Sequence, residues 1–245
     1  ILHFPALRHT HKTTDQEIDF IVGENFLITT HYDTIDSLHE FSKVFQVNSV
    51  LGSESVVGKH GGFVLFYMLK RLYRSVEYEI DFIKRQMNDI ENRIFSGEEK
   101  EMVEAISQTG RDLLNLRQII EPHREVLKEL EDVAVKIFGT YYAPYVRGLS
   151  NEYYRVHNHI MRGTEAMREL RETNNSLLST KQNEIMKILT IMTSITAPLA
   201  LITSLFGISS GYLPIVKNES AFWIIISMMT AIAALILFFR YKRWF

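Results

Sequence analysis

The sequence has no cysteine and few prolines, and its charges nearly balance. Without cysteine the chain forms no disulfide, no thiolate metal site and no cysteine nucleophile. A formal net charge of -2 gives neither a basic excess for nucleic acid nor an acidic tail. Zincin histidine pairs, phosphate-binding glycine loops and nucleophile elbows are missing from the sequence, so we expect neither an enzyme nor a required cofactor. The opening "ILHFPALRHTHKTT" has no Met and no signal pattern, so we expect a fragment without its true N-terminus.

Two long apolar runs, Ile188–Phe206 and Ala221–Phe239, stand near the end of the chain, and neither contains a charged residue. As a helix, each run approaches the ~30 Å thickness of a hydrocarbon core at about 1.5 Å per residue. A buried helix of a soluble protein is the alternative for either run alone, but two adjacent runs favour membrane spans. We therefore predict transmembrane helices at 185–206 and 221–239, joined by an external loop at 207–220.

Basic residues flank the two runs on one side of the predicted membrane. Lys181 and Lys187 precede the first run, whereas the loop between the runs holds Lys217 next to Glu219. The tail at 240–245 contains Arg240, Lys242 and Arg243. Because Lys and Arg favour the cytoplasmic side, we expect a multi-pass membrane protein with both termini cytoplasmic and a basic cytoplasmic ring.

The part of the chain before the membrane has three predicted segments. They are a mixed α/β subdomain at 1–52, a helical subdomain at 53–140 and a stalk helix at 141–184. Two β-rich runs around Gly23–Asn25 predict a strand pair. Apolar residues at helical spacing predict long antiparallel helices, interrupted at Gly97 and Pro122. The predicted fold is thus an α+β cytoplasmic domain, joined by a long stalk helix to two transmembrane helices.

An apolar heptad seam runs along the predicted stalk helix. Its members are Tyr153, Val156, Ile160, Gly163, Met167, Leu170, Asn174 and Leu177. Such a seam packs against another helix, and a polar residue within it, here Asn174, is typical of positions that set the register. We expect the seam to pack against copies of itself. Burial against other helices of the same chain is the alternative.

The same spacing continues into the first apolar run. It selects Asn183, Met186, Leu189, Thr193, Ala197, Ala200 and Ser204. This set is polar at its start, apolar in the middle and small at its end, which suits the wall of a lumen. Small residues equally allow close helix packing without a lumen, so composition leaves both interpretations open. The hydroxyls of this run can bond to carbonyl oxygens one turn back, so individually they indicate little.

The end of the chain resembles a known family. The stretch "NEIMKILTIMTSITAPLALITSLFGISSGYLP", followed by a second span ending "FFRYKRWF", resembles the C-terminal part of the CorA magnesium transporters. The matching positions are Asn183, Glu184, Met186, Lys187, Leu189, Thr190, Pro198, Gly207, Tyr212 and Pro214. The stretch "IDFIVGENFLITTHY" and the long helices are similar to the family's cytoplasmic domain, so the resemblance covers nearly the whole chain.

The resemblance implies a homopentamer whose first spans surround a pore for hydrated divalent cations. It places hydrophobic constrictions at Met186, Leu189 and Ala197, and an ion-binding amide at Asn183. The implied signature loop and pore mouth comprise Gly207, Ile208, Ser209, Tyr212 and Pro214, with Ser209 beside the transported cation. Other copies, membrane lipid and divalent cations are the implied partners, without nucleic acid. Mg²⁺ is the implied transported ion and a candidate regulatory ion.

The signature loop departs from the family pattern. The family has Gly-Met-Asn where this chain has Gly207, Ile208 and Ser209, so a shorter hydroxyl replaces each amide at the pore mouth. Gly211 and Ile215 stand where the family has acidic residues that concentrate cations near the entrance. Ion preference therefore does not transfer directly from the family.

The regulatory metal site of the family is also altered. The family has Asp residues where this chain has Gly148 and Asn151, which removes carboxylates that a hard dication prefers. Two histidine pairs, His9 with His11 and His157 with His159, are the other candidate ligands. On a strand the first pair would share one side, whereas a helix would separate the second pair. Surface histidines without metal are the alternative for both.

We therefore expect a CorA-like channel that moves divalent cations down an electrochemical gradient, with Mg²⁺ the main ion and Co²⁺ or Ni²⁺ tolerated. One alternative is a Zn²⁺ transporter of the zinc branch of the same superfamily. The other is a membrane-anchored metal sensor or structural oligomer that does not conduct.

Overall fold

The structure, a computed structural model, describes residues 2–6, 14–31, 36–50 and 60–207 and, in the second apolar run, residues 223, 226, 227, 229 and 230. The chain divides into two compact units, Ile1–Asn174 and Asn175–Phe245. Most of the second predicted span, the external loop and the basic tail lie outside the described residues.

In the described part of the N-terminal region, three antiparallel strands form a sheet in the order β1-β2-β3. The strands are β1 (Leu2–Ala6), β2 (Thr14–Val22) and β3 (Leu27–His31). Val22 pairs with Leu27, and the Gly23 amide donates to the Phe26 carbonyl across the turn at 2.9 Å. A short polar turn between two β-branched runs brings consecutive strands together as a hairpin. The predicted strand pair around Gly23–Asn25 is confirmed.

Long helices follow the sheet, and their boundaries fall at the predicted glycine and proline. They are α1 (Asp36–Val50), α2 (Gly61–Phe95), α3 (Met102–Ile120), α4 (His123–Phe138) and α5 (Ala143–Gly207). Gly97, between α2 and α3, has a φ of 101°, a left-handed conformation that favours glycine. Pro122 caps the start of α4, where a missing amide proton costs no helix hydrogen bond. As predicted, α5 continues from the stalk into the first apolar run without a break.

The core of the first unit is built on one apolar stripe of α2. Its buried members include Leu65, Leu69, Leu72, Val76, Ile80, Ile83, Met87, Ile90 and Ile94. Steps of three and four residues place these side chains on one side of the helix, where burial removes them from water. The Nζ atom of Lys70 lies 3.9 Å from Oε1 of Glu152, and Nε of Arg155 lies 2.5 Å from Oε1 of Glu77. Because the later residue of α2 pairs with the later residue of α5, the two helices run parallel here.

The seam of α5 is buried inside the first unit, and the expectation that it packs against copies of itself is wrong for these residues. Tyr153, Val156, Ile160 and Met167 are at most 3% exposed. A Cβ at Gly163 would lie 3.1 Å from Leu113, and one at Gly110 would lie 3.7 Å from Met167. Helix α3 therefore runs antiparallel to α5 and covers its seam. Heptad spacing identifies an apolar face but not the helix that covers it.

An aromatic cluster joins the start of α2 to the connection between α4 and α5. The His60 ring stacks on Phe138, with centroids 4.7 Å apart and planes inclined by 11°, and its centroid lies 4.5 Å from that of Phe63. Tyr142 is buried, and its hydroxyl donates to the Gly62 carbonyl. These contacts hold the first turn of α2 against the end of α4.

Candidate functional site

The apolar half of α5 is the candidate membrane-spanning part of the described chain. Among the described residues, one helix, α5, is long and apolar enough to cross a bilayer. Only 6% of its apolar window is buried, whereas the core helix of a soluble protein is mostly buried. Ile185 is 65% exposed, Met192 60% and Leu201 62%. So many exposed large apolar side chains indicate a surface that meets lipid or other protein rather than water.

The residues predicted to line a pore share one face of α5, the pore face. The face comprises Asn183, Met186, Leu189, Thr193, Ala197, Ala200 and Ser204. At about 100° per residue they fall within an arc of about 120°. All are exposed, including Met186 at 52% and Leu189 at 54%. The structure thus brings these residues together on an open helix face, while their role as a pore lining stays a prediction.

The threonine hydroxyls of this segment are hydrogen-bonded by their own helix. Oγ1 of Thr190 donates to the carbonyl oxygen four residues earlier at 2.7 Å, and that of Thr193 does so at 2.8 Å. The same bond measures 2.9 Å for Thr196 and 3.1 Å for Thr203. Such bonds satisfy a hydroxyl in lipid, as the sequence predicts.

Pro198 interrupts the hydrogen bonding of α5 within the apolar segment. Because proline has no amide proton, the Ser194 carbonyl, one turn earlier, receives no hydrogen bond from residue 198. At membrane depth a carbonyl of this kind needs another donor or water. The spacing of Ser194 and Pro198 is visible in the sequence, but the heptad spacing that selects the pore face does not single out Ser194.

Packing and ion pairing characterise the surroundings of Gly148 and Asn151, the positions at which the resemblance places the family's regulatory carboxylates. A Cβ at Gly148 would lie 3.3 Å from the Phe66 ring, so the glycine allows α5 and α2 to approach closely. Asn151 is exposed, and the acid that follows it, Glu152, pairs with Arg155. Within the described ranges, no group of three or more His, Cys, Asp or Glu side chains could hold a metal ion.

The two candidate histidine pairs differ in what the structure describes. His9 and His11 lie outside the described residues. His157 stacks on Tyr153 with ring centroids 5.6 Å apart, and burial lowers the pKa of His159. As expected for histidines two residues apart on a helix, His157 and His159 lie in different surroundings.

The predicted pore mouth and basic ring lie almost wholly outside the described residues. Gly207, predicted as the first residue of the external loop, is instead the last residue of α5. The residues beyond the described part are Ile208, Ser209, Tyr212, Pro214, Arg240, Lys242 and Arg243. Their roles stay predictions from the sequence.

Comparison with protein families decides what kind of chain this is. A family model described as "CorA-like Mg2+ transporter protein" matches residues 1–243. The chain belongs to the CorA family. Because the match covers nearly the whole sequence, it includes both compact units and the apolar half of α5.

CorA proteins from two organisms align with most of the chain. It is 24% identical over 233 residues to the cobalt/magnesium transport protein CorA of Methanocaldococcus jannaschii, covering 94% of this chain and 72% of that protein. It is 22% identical over 238 residues to the protein of the same name from Thermotoga maritima, covering 97% and 67%. The solved structure of the complete CorA magnesium transporter from M. jannaschii superposes with a TM-score of 0.80 at 23% identity, over 100% of this chain and 76% of that one. At this identity the likeness shows that the fold is shared.

Proposed function

We propose that this CorA-family chain forms a homo-oligomeric membrane pore that passes divalent cations down an electrochemical gradient. Mg²⁺ is the main cargo, and Co²⁺ and Ni²⁺ also pass. The family match and the names of the cobalt/magnesium transport proteins among its relatives support this function. The observation that carries it is the pore face of α5, open along an apolar helix. The proposed assembly is a pentamer with both termini in the cytoplasm.

The cation keeps its hydration shell in the proposed path. Mg²⁺ dehydrates reluctantly, so neutral oxygens that bind its water molecules suit it better than a cage of direct ligands. The Asn183 amide oxygen at one end of the pore face and the Ser209 hydroxyl at the mouth take this role. Because these contacts reach only the water shell, binding is weak enough for the ion to leave.

Met186 and Leu189 form the proposed hydrophobic gate, with Ala197 as its smallest member. Both large side chains are about half exposed in one chain, at 52% and 54%, so neighbouring copies could bring them together around an axis. A ring of apolar side chains repels water and ions until the helices move apart.

Ion flux into liposomes tests this function. The full chain is purified, reconstituted and exposed to gradients of Mg²⁺, Co²⁺, Ni²⁺ or Zn²⁺ while a trapped dye reports entry. We expect Mg²⁺ entry that empty liposomes lack. Leu189→Ala should raise the rate because it widens the gate. Ile188→Ala, about 160° away from the centre of the pore face, should leave the rate unchanged.

The other outcomes separate the competing functions. Entry of Zn²⁺ without Mg²⁺ would assign the chain to the zinc branch. If none of the four cations enters at any of several pH values, the channel is excluded and a metal sensor or structural oligomer takes its place.

A further inference from the structure

Two threonine hydroxyls lie within one turn of α5, just beyond Leu189. Thr193 lies about 20° and Thr190 about 40° from the centre of the pore face. We propose that Thr190 and Thr193, the hydroxyl site, bind the hydrated divalent cation inside the pore, between Leu189 and Ala197 of the hydrophobic gate. This proposal rests on the function proposed above, because only a ring of copies places the site around a water path.

The hydrogen bonds of the two threonines prepare their oxygens as acceptors. Each Oγ1 gives its proton to its own helix, at 2.7 Å for Thr190 and 2.8 Å for Thr193. The lone pairs of each hydroxyl therefore remain available on the exposed side. A cation polarises its water molecules, which then act as donors and bind best to oxygens whose own protons are already committed.

Ala197 and Ala200 follow on the pore face, and their small side chains leave room beside the site for a cation with its water shell.

Two other threonines show that position, not back-bonding alone, defines the site. Thr196 and Thr203 make the same bond to the carbonyl oxygen four residues earlier, at 2.9 and 3.1 Å. Thr196 lies about 80° and Thr203 about 100° from the centre of the pore face. Their hydroxyls point away from the proposed water path, which makes Thr203 a matched control.

Isosteric substitution tests the site in the reconstituted full chain. Thr190→Val with Thr193→Val keeps side-chain shape but removes both acceptors. We expect Mg²⁺ entry to fall by about fivefold or more, the factor that one neutral hydrogen bond contributes to an equilibrium. Thr203→Val should keep the wild-type rate, and Thr190→Ser with Thr193→Ser should restore most of it. A wild-type rate in the double valine variant would overturn the hydroxyl site and leave the channel standing.

Thiol labelling tests the site without relying on transport. Because the chain has no cysteine, Thr193→Cys and Thr203→Cys each carry a single thiol. We expect a charged, water-soluble thiol reagent to label the thiol at 193 faster than that at 203, and Mg²⁺ to slow labelling at 193 by about fivefold or more. Labelling and Mg²⁺ protection at 193 in a protein without flux would support the site and refute the channel. Equal labelling of both, or labelling that Mg²⁺ does not slow, would overturn the site in either case.

Discussion

At the residue scale, Gly61 controls how closely the β2–β3 turn approaches α2. Its amide donates to the Glu24 carbonyl oxygen at 2.8 Å. A Cβ at this position would lie 2.5 Å from the Phe26 carbonyl oxygen and 2.6 Å from that of Gly23. Both atoms belong to the backbone, so neither can swing aside as a flexible side chain would. The turn can thus pack on the first residue of α2 because that residue is glycine.

Gly61→Ala should therefore destabilise the first unit by about 1–3 kcal/mol, the usual cost of overpacking. Gly110→Ala is the matched control, since the nearest atom to its Cβ is the mobile end of Arg171 at 3.1 Å. Alanine favours a helix over glycine, so the control should be neutral or stabilising by up to about 1 kcal/mol. Denaturant unfolding of the purified variants measures both. Equal losses in the two variants would contradict this account of Gly61.

His60 is a second residue with a defined energetic role. Its Nε2 forms a hydrogen bond with the Tyr141 hydroxyl at 3.1 Å, and aromatic rings surround it. Burial lowers the pKa of His60, and the nearby Glu24 carboxylate opposes part of that effect. The neutral imidazole is therefore the form that suits the aromatic cluster.

The cluster should weaken in acid because of this lowered pKa. The unfolded chain takes up the His60 proton more readily than the folded chain, so stability is full above about pH 6.5 and falls as the pH drops below that value. Thermal unfolding at pH 7.5 and 5.5 should show that acid lowers the melting temperature of His60→Phe less than that of the wild type. His39→Gln, an exposed histidine of α1, controls for other histidines. If acid lowers the melting temperature of His60→Phe as much as that of the wild type, His60 is not the source of the acid sensitivity.

At the element scale, the residues at heptad spacing along α5 have different surroundings in the two units of the chain. In the first unit the spaced residues, such as Met167, are buried against α3, whereas in the second unit the pore-face residues, such as Leu189, are exposed. Spacing alone describes both stretches correctly as apolar faces. The covering helix comes from elsewhere in the sequence, so periodicity does not reveal it.

Local signals and long-range contacts differ in how far the sequence reveals them. The turn at Gly23, the left-handed Gly97 and the helix start at Pro122 each depend on one residue's backbone preferences, so they were predictable. The contacts of His60 with Phe138 depend on chain segments far apart in sequence and were not predicted. The shared face of α5 and the threonine bonds to carbonyl oxygens one turn back were predictable from spacing and residue type.

The pore face makes a prediction about neighbouring copies. Single cysteines at Ala197→Cys and Ile188→Cys lie about 20° and about 160° from the centre of that face. In liposomes, a short bifunctional thiol reagent should link copies through position 197 into dimers and higher multimers. The cysteine at 188, on the far side, should give little product. Equal products from both positions, or none from 197, would show that this face does not meet its copies.

At the scale of the whole molecule, the sequence predicts two departures from the family pattern, one at the proposed pore mouth and one at the predicted regulatory positions. The resemblance places Ser209 at the predicted pore mouth, and Gly148, at a predicted regulatory position, packs near Phe66. The predicted family pattern in α5 runs from Asn183 through Pro198. We therefore expect the proposed conduction path to follow the family pattern in its middle and to differ from it at its entrance and in its regulation.

The most direct test of the central claim is a cryo-electron microscopy structure of the full chain in lipid nanodiscs with Mg²⁺. The account predicts several copies whose α5 helices cross the lipid side by side. Their pore faces, from Asn183 to Ser204, should surround a common axis that holds water. A structure in which these faces contact lipid, or in which backbones fill the axis, would contradict it.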